Sequence, residues 1–261
     1  MAEDTHKKRK SERADSLLVS QGLAETRNQA RALLLAGEVF IGTQRVEKPG
    51  SQVAADAQLR VKERSPFVGR GGVKLSSALA SFNLDVTGMT ALDVGASTGG
   101  FTDCLLQRGA KHVYAVDVGY GQLAELLRGD PRVTVMERVN AREPFALPGR
   151  VDLLVSDVSF ISLRLVLPPS LEHLSPGGYA LVLVKPQFEA GKGQVGKRGV
   201  VRDPLVHAQV VGGFCVWAIS HGLRFFGIRP SPIEGDKGNR EFFVLLQKNG
   251  GVRGCLSHYG P

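Results

Sequence analysis

The stretch at residues 90–101 has the composition of a buried strand that turns tightly into a helix. Its apolar residues surround Asp93, and glycines follow at positions 95, 99 and 100. Glycine lets a backbone approach a ligand closely, and the first turn of the following helix offers unpaired N–H groups at its positive end. The pattern favours a nucleotide-like or carboxylate-bearing ligand, although a tight connection without any ligand has the same composition.

A second apolar run, at 113–116, ends in Asp117, where the ribose-binding acid of a dinucleotide fold lies. The two strands together predict an adenosine-containing ligand. Their spacing is D-x-G-x-x-x-G-G, which differs from the G-x-G-x-x-G that brings a pyrophosphate against a helix. It resembles motif I of the class I S-adenosylmethionine methyltransferases. The resemblance implies that the turn faces the methionine end of this cofactor and that Asp117 binds its ribose hydroxyls.

Apolar strands and helices alternate through the rest of the chain, which predicts a mostly parallel sheet with helices on both faces. The last two strands lie close together in sequence and are expected to pair antiparallel. Strands are predicted at 112–117, 133–136, 151–157, 179–185, 225–228 and 241–246, and helices at 122–127, 163–173 and 203–220. Ligands of such sheets bind at the carboxyl ends of the strands. The charged residues expected to line one crevice there are Asp93, Asp117, Asp157 and Lys185.

The amino-terminal region has the pattern of two short helices followed by small strands. A helical pattern begins at Ser11 and stops at Gly22, and Thr26 is the predicted N-cap of a second helix that closes at Gly37. Strands are predicted at 39–41, 45–46 and 59–61. The blocks RADSLLV at 13–19, GLA at 22–24 and GEV at 37–39 resemble the S4 RNA-binding domain. This resemblance implies that Arg27 and Arg31 bind structured RNA, although the same i and i+4 pair suits a solvated helix face.

The composition narrows the class of protein. The net charge of +8 and the pI near 9.6 predict a polyanionic partner, although a merely solvated basic surface is the alternative. Cys104, Cys215 and Cys255 lack metal-ligand spacing and indicate reduced thiols in a cytoplasmic protein. The amino end lacks the apolar segment of a secretory signal, and the apolar run at 210–219 is too short to cross a bilayer. No membrane partner is therefore expected.

Residues 62–72 have the proline and glycine content of a linker, and a helix is predicted from Val73 to about Phe82. Lys74 lies at the start of that helix, where the helix dipole disfavours a cation. A functional role would explain why a lysine occupies this position. The alternative is an exposed lysine that has no role.

Asp157 and Lys185 each end a predicted buried strand. An ion pair at the rim of the sheet is one interpretation. Their convergence beside the predicted methyl donor favours catalysis instead. A lysine near other cations has a lowered pKa and acts as a base, and an adjacent carboxylate orients it.

Six blocks together resemble the TlyA family. They are the S4-like amino end, GRGGVKL at 69–75, the turn at 93–101, SDVSFIS at 156–162, KPQFE at 185–189 and GNREF at 238–242. Members of this family are rRNA 2′-O-methyltransferases with an FtsJ-like catalytic domain, and some are called hemolysins. The resemblance implies an α/β fold, in which a Rossmann-like class I methyltransferase sheet follows a small N-terminal S4-like RNA-binding domain.

The resemblance also implies a reaction, methyl transfer from S-adenosylmethionine to a ribose 2′-hydroxyl of ribosomal RNA, with cytidine as the expected nucleoside. The Lys-Asp-Lys-Glu tetrad of the family corresponds to Lys74, Asp157, Lys185 and Glu241. Lys185 would take the hydroxyl proton, while Asp157 and Glu241 set its charge state and position. Lys74 would stabilise the developing alkoxide, and no metal is required. Ribosomal RNA or ribosomal subunits are the expected partners.

The remaining predicted site residues follow partly from these resemblances and partly from a basic loop. Asn140 would contact the adenine. The loop at 191–198 nearly matches a P-loop, but Arg198 replaces the Ser or Thr that holds magnesium, so a basic loop that closes over RNA is the preferred interpretation. The predicted cofactor-binding residues are Asp93, Gly95, Ala96, Ser97, Thr98, Gly99, Gly100, Phe101, Asp117 and Asn140, and the predicted RNA-binding residues are Arg27, Arg31, Arg70, Lys192, Lys197 and Arg198.

The predicted domains are a basic flexible arm (1–10), the S4-like domain (11–63), a linker (64–72), the methyltransferase domain (73–250) and a tail (251–261). The junction RSPFV at 64–68 lacks the aromatic Arg-x-Trp-Val linker of some members.

Two other functions stay open. One is a ribosome-binding S4 protein without catalysis, against which the intact tetrad argues. The other is a membrane-lytic protein, which needs an amphipathic or spanning segment. The sequence leaves the oligomeric state open.

Overall fold

A computed structural model of the protein describes residues 10–62, 65–191 and 193–250. The chain divides into two compact units, residues 1–64 and residues 65–261. The predicted basic arm, apart from Lys10, and the predicted tail at 251–261 lie outside the described residues.

The first unit combines two helices with two small antiparallel sheets. Strands β1 and β4 pair with each other, and the second sheet has the order β3-β2-β5. Leu17, Leu18, Leu34 and Val39 form the centre of its buried core. The elements in chain order are β1 (Ser11–Arg13), α1 (Ala14–Ser20), α2 (Arg27–Leu35), β2 (Val39–Ile41), β3 (Gln44–Arg45), β4 (Gln52–Ala54) and β5 (Leu59–Val61).

The capping prediction for α2 is confirmed, since the Thr26 side chain accepts a hydrogen bond from the backbone N–H of Gln29. The expectation that helix begins at Ser11 is wrong. Residues Ser11–Arg13 form β1, which pairs with β4, and α1 begins only at Ala14. Neither β1 nor β4 was predicted, because their partners are far apart in the chain and three residues are too few to show a strand period.

The second unit is a seven-stranded sheet with helices on both faces, as predicted. Strand order is β11-β12-β10-β9-β6-β7-β8; β12 is antiparallel to both of its neighbours, and the other pairs are parallel. Its elements are α3 (Arg70–Ser81), β6 (Thr90–Val94), α4 (Gly100–Gln107), β7 (His112–Asp117), α5 (Glu125–Arg128), β8 (Val133–Glu137), β9 (Val151–Ser156), α6 (Leu163–Leu171), β10 (Leu174–Val184), α7 (Pro186–Glu189), α8 (Pro204–Ser220), β11 (Leu223–Pro230), a 3-10 turn (Asp236–Gly238) and β12 (Phe242–Lys248).

Two apolar cores lie on the two faces of this sheet. Leu75 and Leu79 of α3 and Leu105 of α4 belong to one core, while Leu167 of α6 and Phe214 of α8 belong to the other. Alternate residues of the central strands point into the two cores, as expected for strands buried on both faces. Full burial of these side chains is the main source of stability, at about 1.5–3 kcal/mol each.

The predicted linker at 64–72 and the predicted start of the helix at Val73 need correction. Helix α3 begins at Arg70, so its first turn contains Gly71 and Gly72. A Cβ atom on Gly72 would lie 2.3 Å from Cγ of Phe67, and one on Gly71 would lie 3.2 Å from Cδ1 of Phe101. These glycines therefore permit close packing of the helix, whereas their composition alone suggested a flexible segment.

Strands β2, β5 and β7 have the predicted bounds, and most of the other boundaries differ from the predictions by a few residues. The helix predicted at 122–127 is the single turn Glu125–Arg128, and α7 was not predicted. Within the described residues, no helix is both long enough and apolar enough to span a membrane. Cys104 and Cys215 are buried free thiols, and Cys255 lies outside the described residues.

Candidate active site

The turn between β6 and α4 brings two strand ends together. Its backbone has positive φ at Gly95 (86°), Ser97 (48°) and Gly99 (95°). A Cβ atom on Gly95 would lie 2.8 Å from the carbonyl oxygen of Asp157. Only glycine therefore lets this turn lie so close to the residue that follows β9.

Asp117 fixes the turn from the end of β7. Its carboxylate accepts hydrogen bonds from the backbone N–H of Ser97 at 2.8 Å and of Gly119 at 2.7 Å. Each carboxylate oxygen has a further lone pair, so ligand hydroxyls can still donate to it. Asp117 and Asn140 line a first cavity of about 380 Å³. This volume falls in the range of small-molecule sites.

A second cavity of about 220 Å³ adjoins the first. Gly95, Ser97, Asp157 and Ser159 line both cavities, so the two lie side by side. The residues that line only the second cavity are Arg70, Gly71, Lys74, Ala96, Thr98, Gly100, Phe101 and Lys185.

Two lysine–carboxylate pairs lie at this edge of the sheet, and the carboxylate of the first is only partly buried. The Lys185 ammonium is 2.6 Å from Oδ1 of Asp157, and the Lys74 ammonium is 2.6 Å from Oε2 of Glu241. Both lysines are only 8% exposed. Asp157 and Lys185 follow the ends of β9 and β10, and Glu241 precedes the antiparallel strand β12, so all three lie at the same edge.

The pairing differs in one respect from the sequence prediction. Glu241 was expected to set the charge and position of Lys185, but its carboxylate contacts Lys74. Motif spacing does not show which carboxylate faces which lysine, so this contact could not be predicted. Lys74 itself was predicted at the first turn of its helix. It lies in the second turn, since α3 begins at Arg70.

Asp93 does not line the crevice in which it was predicted. It is fully buried, and Oδ2 accepts a hydrogen bond of 2.7 Å from the Thr102 hydroxyl. Burial raises the pKa of the Asp93 carboxyl to about 7. Gly99 also lies outside both cavities. It is the N-cap of α4 and faces Leu127. A Cβ atom on Gly99 would lie 2.2 Å from Cδ1 of Leu127. Both residues therefore support the turn from its buried side.

Ser159 was missed by the sequence analysis. Its hydroxyl accepts a hydrogen bond of 2.7 Å from the Lys185 ammonium, so Lys185 is held from two sides. The ring of Phe188 lies 6.0 Å from the same ammonium, a cation–π distance. The SDVSFIS block contains Ser159, but nothing in the block distinguishes it from the other serines.

Asn239 is a second missed residue. Its side-chain oxygen accepts from the backbone N–H of Val201 at 3.1 Å, and its Nδ2 donates to the carbonyl oxygens of Gly199 at 2.9 Å and Asp236 at 3.1 Å. Asn239 is buried and lies two residues before Glu241. It therefore joins the segment after the basic loop to the segment that carries Glu241.

The predicted RNA-binding residues lie in three places. Arg70 lines the second cavity, while Lys197 and Arg198 line a separate cavity together with Arg202. Residues 193–199 form turns, without the strand-to-helix junction of a P-loop. Lys192 lies outside the described residues.

Arg27 and Arg31 belong to α2 of the first unit and are exposed. Arg27 donates a hydrogen bond to the hydroxyl of Ser16. Arg31 lies one helical turn further along α2, so the two guanidinium groups share one face of that helix.

Two family models match the chain. The FtsJ-like methyltransferase family matches residues 67–248, and the S4 domain matches residues 12–59. The 16S/23S rRNA (cytidine-2′-O)-methyltransferase TlyA of Mycobacterium tuberculosis is 50% identical over 240 residues, which cover 90% of this chain and 89% of the relative. Hemolysin A of Brachyspira hyodysenteriae is 39% identical over 238 residues, covering 89% and 98% of the two chains.

A solved structure has the same architecture. The hemolysin candidate from Streptococcus thermophilus is 46% identical, covers 92% of this chain and 90% of its own, and superimposes with a TM-score of 0.70. The family predicted from the sequence is therefore confirmed. The chain belongs to the FtsJ-like methyltransferase family, in the group of S4-domain proteins that includes TlyA.

Proposed function

We propose that this protein transfers the methyl group of S-adenosylmethionine to the 2′-hydroxyl of a cytidine in ribosomal RNA. The observation that carries the proposal is the two lysine–carboxylate contacts, each with a buried lysine, beside a cavity suited to a nucleoside. The named activity of the Mycobacterium tuberculosis relative supports the choice of cytidine and of both ribosomal RNAs.

S-adenosylmethionine is the methyl donor of this family, which confirms the predicted cofactor, and it supplies an electrophilic methyl group. The residues present suit it. Asp117 has carboxylate oxygens for ribose hydroxyls, and Val116 and Val139 give the first cavity apolar walls for a flat base. Asn140 lines the same wall. The turn at 95–100 would hold the amino-acid tail, since Thr98 and Gly100 line only the second cavity.

Lys185 is the proposed general base. Asp157 and Ser159 hold its ammonium in the second cavity, at 2.6 and 2.7 Å. In its neutral form Lys185 would take the proton of the 2′-hydroxyl, while the ribose oxygen displaces the donor's sulfur from the methyl group and a thioether leaves. Asp157 then stabilises the ammonium that forms, so the base is oriented before and after the transfer.

Lys74 is the proposed electrostatic partner of the reacting oxygen. Its ammonium lines the same cavity as Lys185, and Glu241 fixes it from the side. A preorganised positive charge in a water-poor site stabilises the negative charge that develops on the ribose oxygen. Glu241 is therefore a positioning residue for Lys74.

RNA recognition is assigned to basic residues in both units. Arg70 lines the catalytic cavity, and Lys197 and Arg198 line the cavity of the nearby basic loop. Arg27 and Arg31 of the first unit are the proposed S4-type contacts. The net charge of +8 suits a partner whose phosphates release counterions on binding.

The experiment is transfer of a tritiated methyl group from S-adenosylmethionine to purified ribosomal subunits, followed by mapping of 2′-O-methyl sites in the rRNA. Wild-type protein is expected to label a cytidine, Lys185→Met to abolish labelling, and Lys111→Met, an exposed control at the amino end of β7, to leave it unchanged. Binding of subunits without labelling would instead identify a non-catalytic S4 protein. Labelling at another nucleoside would overturn the cytidine assignment alone.

A further inference from the structure

Strand β11 forms an edge of the seven-stranded sheet and has an unusual exposed composition. Phe225 and Phe226 are 39% and 44% exposed, and Arg224 and Arg229 are exposed beside them. Charged residues on an edge strand prevent it from pairing with other chains. That explanation accounts for the arginines, but it does not account for two exposed phenylalanines.

The arginines and aromatic rings of this strand are stacked in pairs. The guanidinium of Arg224 lies 5.1 Å from the ring centre of Phe226, and that of Arg229 lies 5.0 Å from the ring centre of Phe82. Phe226 also packs edge-on against Tyr179 at 5.8 Å. Three rings and two guanidinium groups therefore form one surface, which we call the β11 face.

The backbone of β11 is shaped to present this surface. The register with β12 shifts between Phe225 and Gly227, so Phe226 lies in a β-bulge. Bulges redirect side chains at sheet edges. A Cβ atom on Gly227 would lie 3.2 Å from Cε1 of Phe82, so the glycine leaves room for that ring. Phe82 and Tyr179 pack against the buried core and are thereby anchored.

The two cations of the β11 face are available for a ligand. Neither Arg224 nor Arg229 forms an ion pair with any residue that the structure describes. Among the residues that the structure describes, Arg229 donates only to the carbonyl oxygen of Ile228, which is its own neighbour. A guanidinium group stacked on a ring retains free N–H groups for a phosphate, and its plane can stack on a base.

The β11 face begins beside the catalytic edge. Pro230 of β11 pairs with Phe242, which directly follows Glu241. Helix α3, which carries Lys74, is followed directly by Phe82. From Arg229 the face continues along β11 to Arg224. These residues lie five positions apart, which is roughly 17 Å at the usual rise per residue of a β-strand. A chain that leaves the reactive site can follow this strand.

We propose that the β11 face binds an unpaired segment of the RNA substrate next to the methylated nucleotide. Aromatic rings on an open sheet face are a common platform for bases of single-stranded RNA, and flanking arginines bind the phosphates. The inference rests on the proposed function for the identity of the substrate. It adds a contact surface outside the S4 unit and the basic loop.

The test uses the full-length chain and measures its affinity for an rRNA fragment at several salt concentrations. The variants are Arg224→Gln/Arg229→Gln and Phe226→Ser. The control is Lys111→Gln/Arg132→Gln, which removes two charges at the amino ends of β7 and β8. AdoMet affinity is measured in parallel and is expected to stay unchanged in all four proteins.

The arginine variant is expected to bind RNA about tenfold more weakly, with a salt slope reduced by roughly 1.5 because two phosphate contacts are lost. Phe226→Ser is expected to weaken binding by roughly 5- to 100-fold at an unchanged slope, since stacking carries no charge. Wild-type affinity in both variants, or equal losses in the control, would overturn the inference. So would a change in sedimentation with unchanged RNA affinity, which would assign the face to protein association. Because methyl transfer is not measured, failure of the proposed reaction would be seen separately.

Discussion

The Lys74 ammonium lies 2.6 Å from the carboxylate of Glu241, although the two residues are 167 positions apart in the sequence. Glu241 is only 3% exposed, so its removal leaves a buried cation without a partner. Such a loss costs about 3–5 kcal/mol, whereas replacing both partners by apolar residues is often neutral.

We therefore expect Glu241→Ala to destabilise the protein by about 3–5 kcal/mol in urea unfolding, and Lys74→Met/Glu241→Leu to recover most of that loss. Both proteins should be inactive, because each lacks the oriented Lys74 ammonium that we propose acts on the reacting oxygen. A double variant as unstable as the single one would show that the pair is not the origin of the effect.

Lys185 and Ser159 give a second prediction, about the rate. Lys185→Met should lower kcat by roughly 10²- to 10⁴-fold, the usual contribution of a general base. Ser159→Ala should cause a smaller loss of kcat at unchanged KM for RNA, because it removes one hydrogen bond that orients the base. Ser159→Thr keeps a hydroxyl that can accept from Lys185 and should retain most of the rate. Equal losses of kcat in Ser159→Ala and Ser159→Thr would argue against orientation of Lys185 by this hydroxyl.

The basic loop gives a third prediction, on binding. Lys197 and Arg198 line a cavity that is separate from both cofactor-side cavities. Lys197→Ala/Arg198→Ala should weaken binding to rRNA and reduce its salt dependence, while AdoMet affinity measured by calorimetry stays unchanged. Equal losses of both affinities would refute this division of roles.

The strand ends of the catalytic sheet could be predicted from the sequence because buried parallel strands have a strong apolar signal. That signal placed Asp117, Asp157 and Lys185 at one edge, since the carboxyl ends of parallel strands meet there. The same reasoning failed for Asp93, which precedes the last residue of β6 and points into the interior. A shift of one residue along a strand reverses the direction of the side chain.

The contacts between distant segments could not be predicted. Glu241 faces Lys74, and Asn239 bonds the backbone around residue 200; both depend on how loops pack, for which sequence spacing has no signal. Gly71 and Gly72 suggested a linker, because glycine is typical of flexible segments and also of closely packed helices. The structure distinguishes the two by the proximity of Phe67 and Phe101.

Asn239 gives a fourth prediction. Its three side-chain hydrogen bonds hold the chain that leads into Glu241, and through it Lys74. Asn239→Ala should lower kcat by about tenfold or more and leave AdoMet affinity unchanged, because the turn proposed to bind the cofactor does not contact it. Asn239→Asp keeps the acceptor for Val201 but places a buried carboxylate oxygen against the carbonyl oxygens of Gly199 and Asp236, so its kcat should be no higher than that of Asn239→Ala. Loss of AdoMet affinity in parallel with kcat would indicate general unfolding instead.

The pH dependence of stability gives the last prediction, through Asp93. Burial raises the pKa of this carboxyl to about 7 in the folded protein, from an ordinary value of 3.8. Between these two values the folded protein keeps a proton that the unfolded chain has lost. The stabilising contribution is therefore complete below about pH 4, decreases by up to about 1.4 kcal/mol per pH unit, and is lost once the pH passes 7.

Asp93→Asn removes this titration and retains an oxygen that can accept the Thr102 hydrogen bond. The variant should therefore gain stability relative to wild type as the pH rises from 5 to 7, with a constant difference at pH 8 and 9. Urea unfolding of both proteins at these pH values measures the difference directly, and other titrating groups cancel because the two chains share them. If the stability of Asp93→Asn relative to wild type did not change with pH, or increased as the pH fell, Asp93 would be ionised in the folded protein throughout this range.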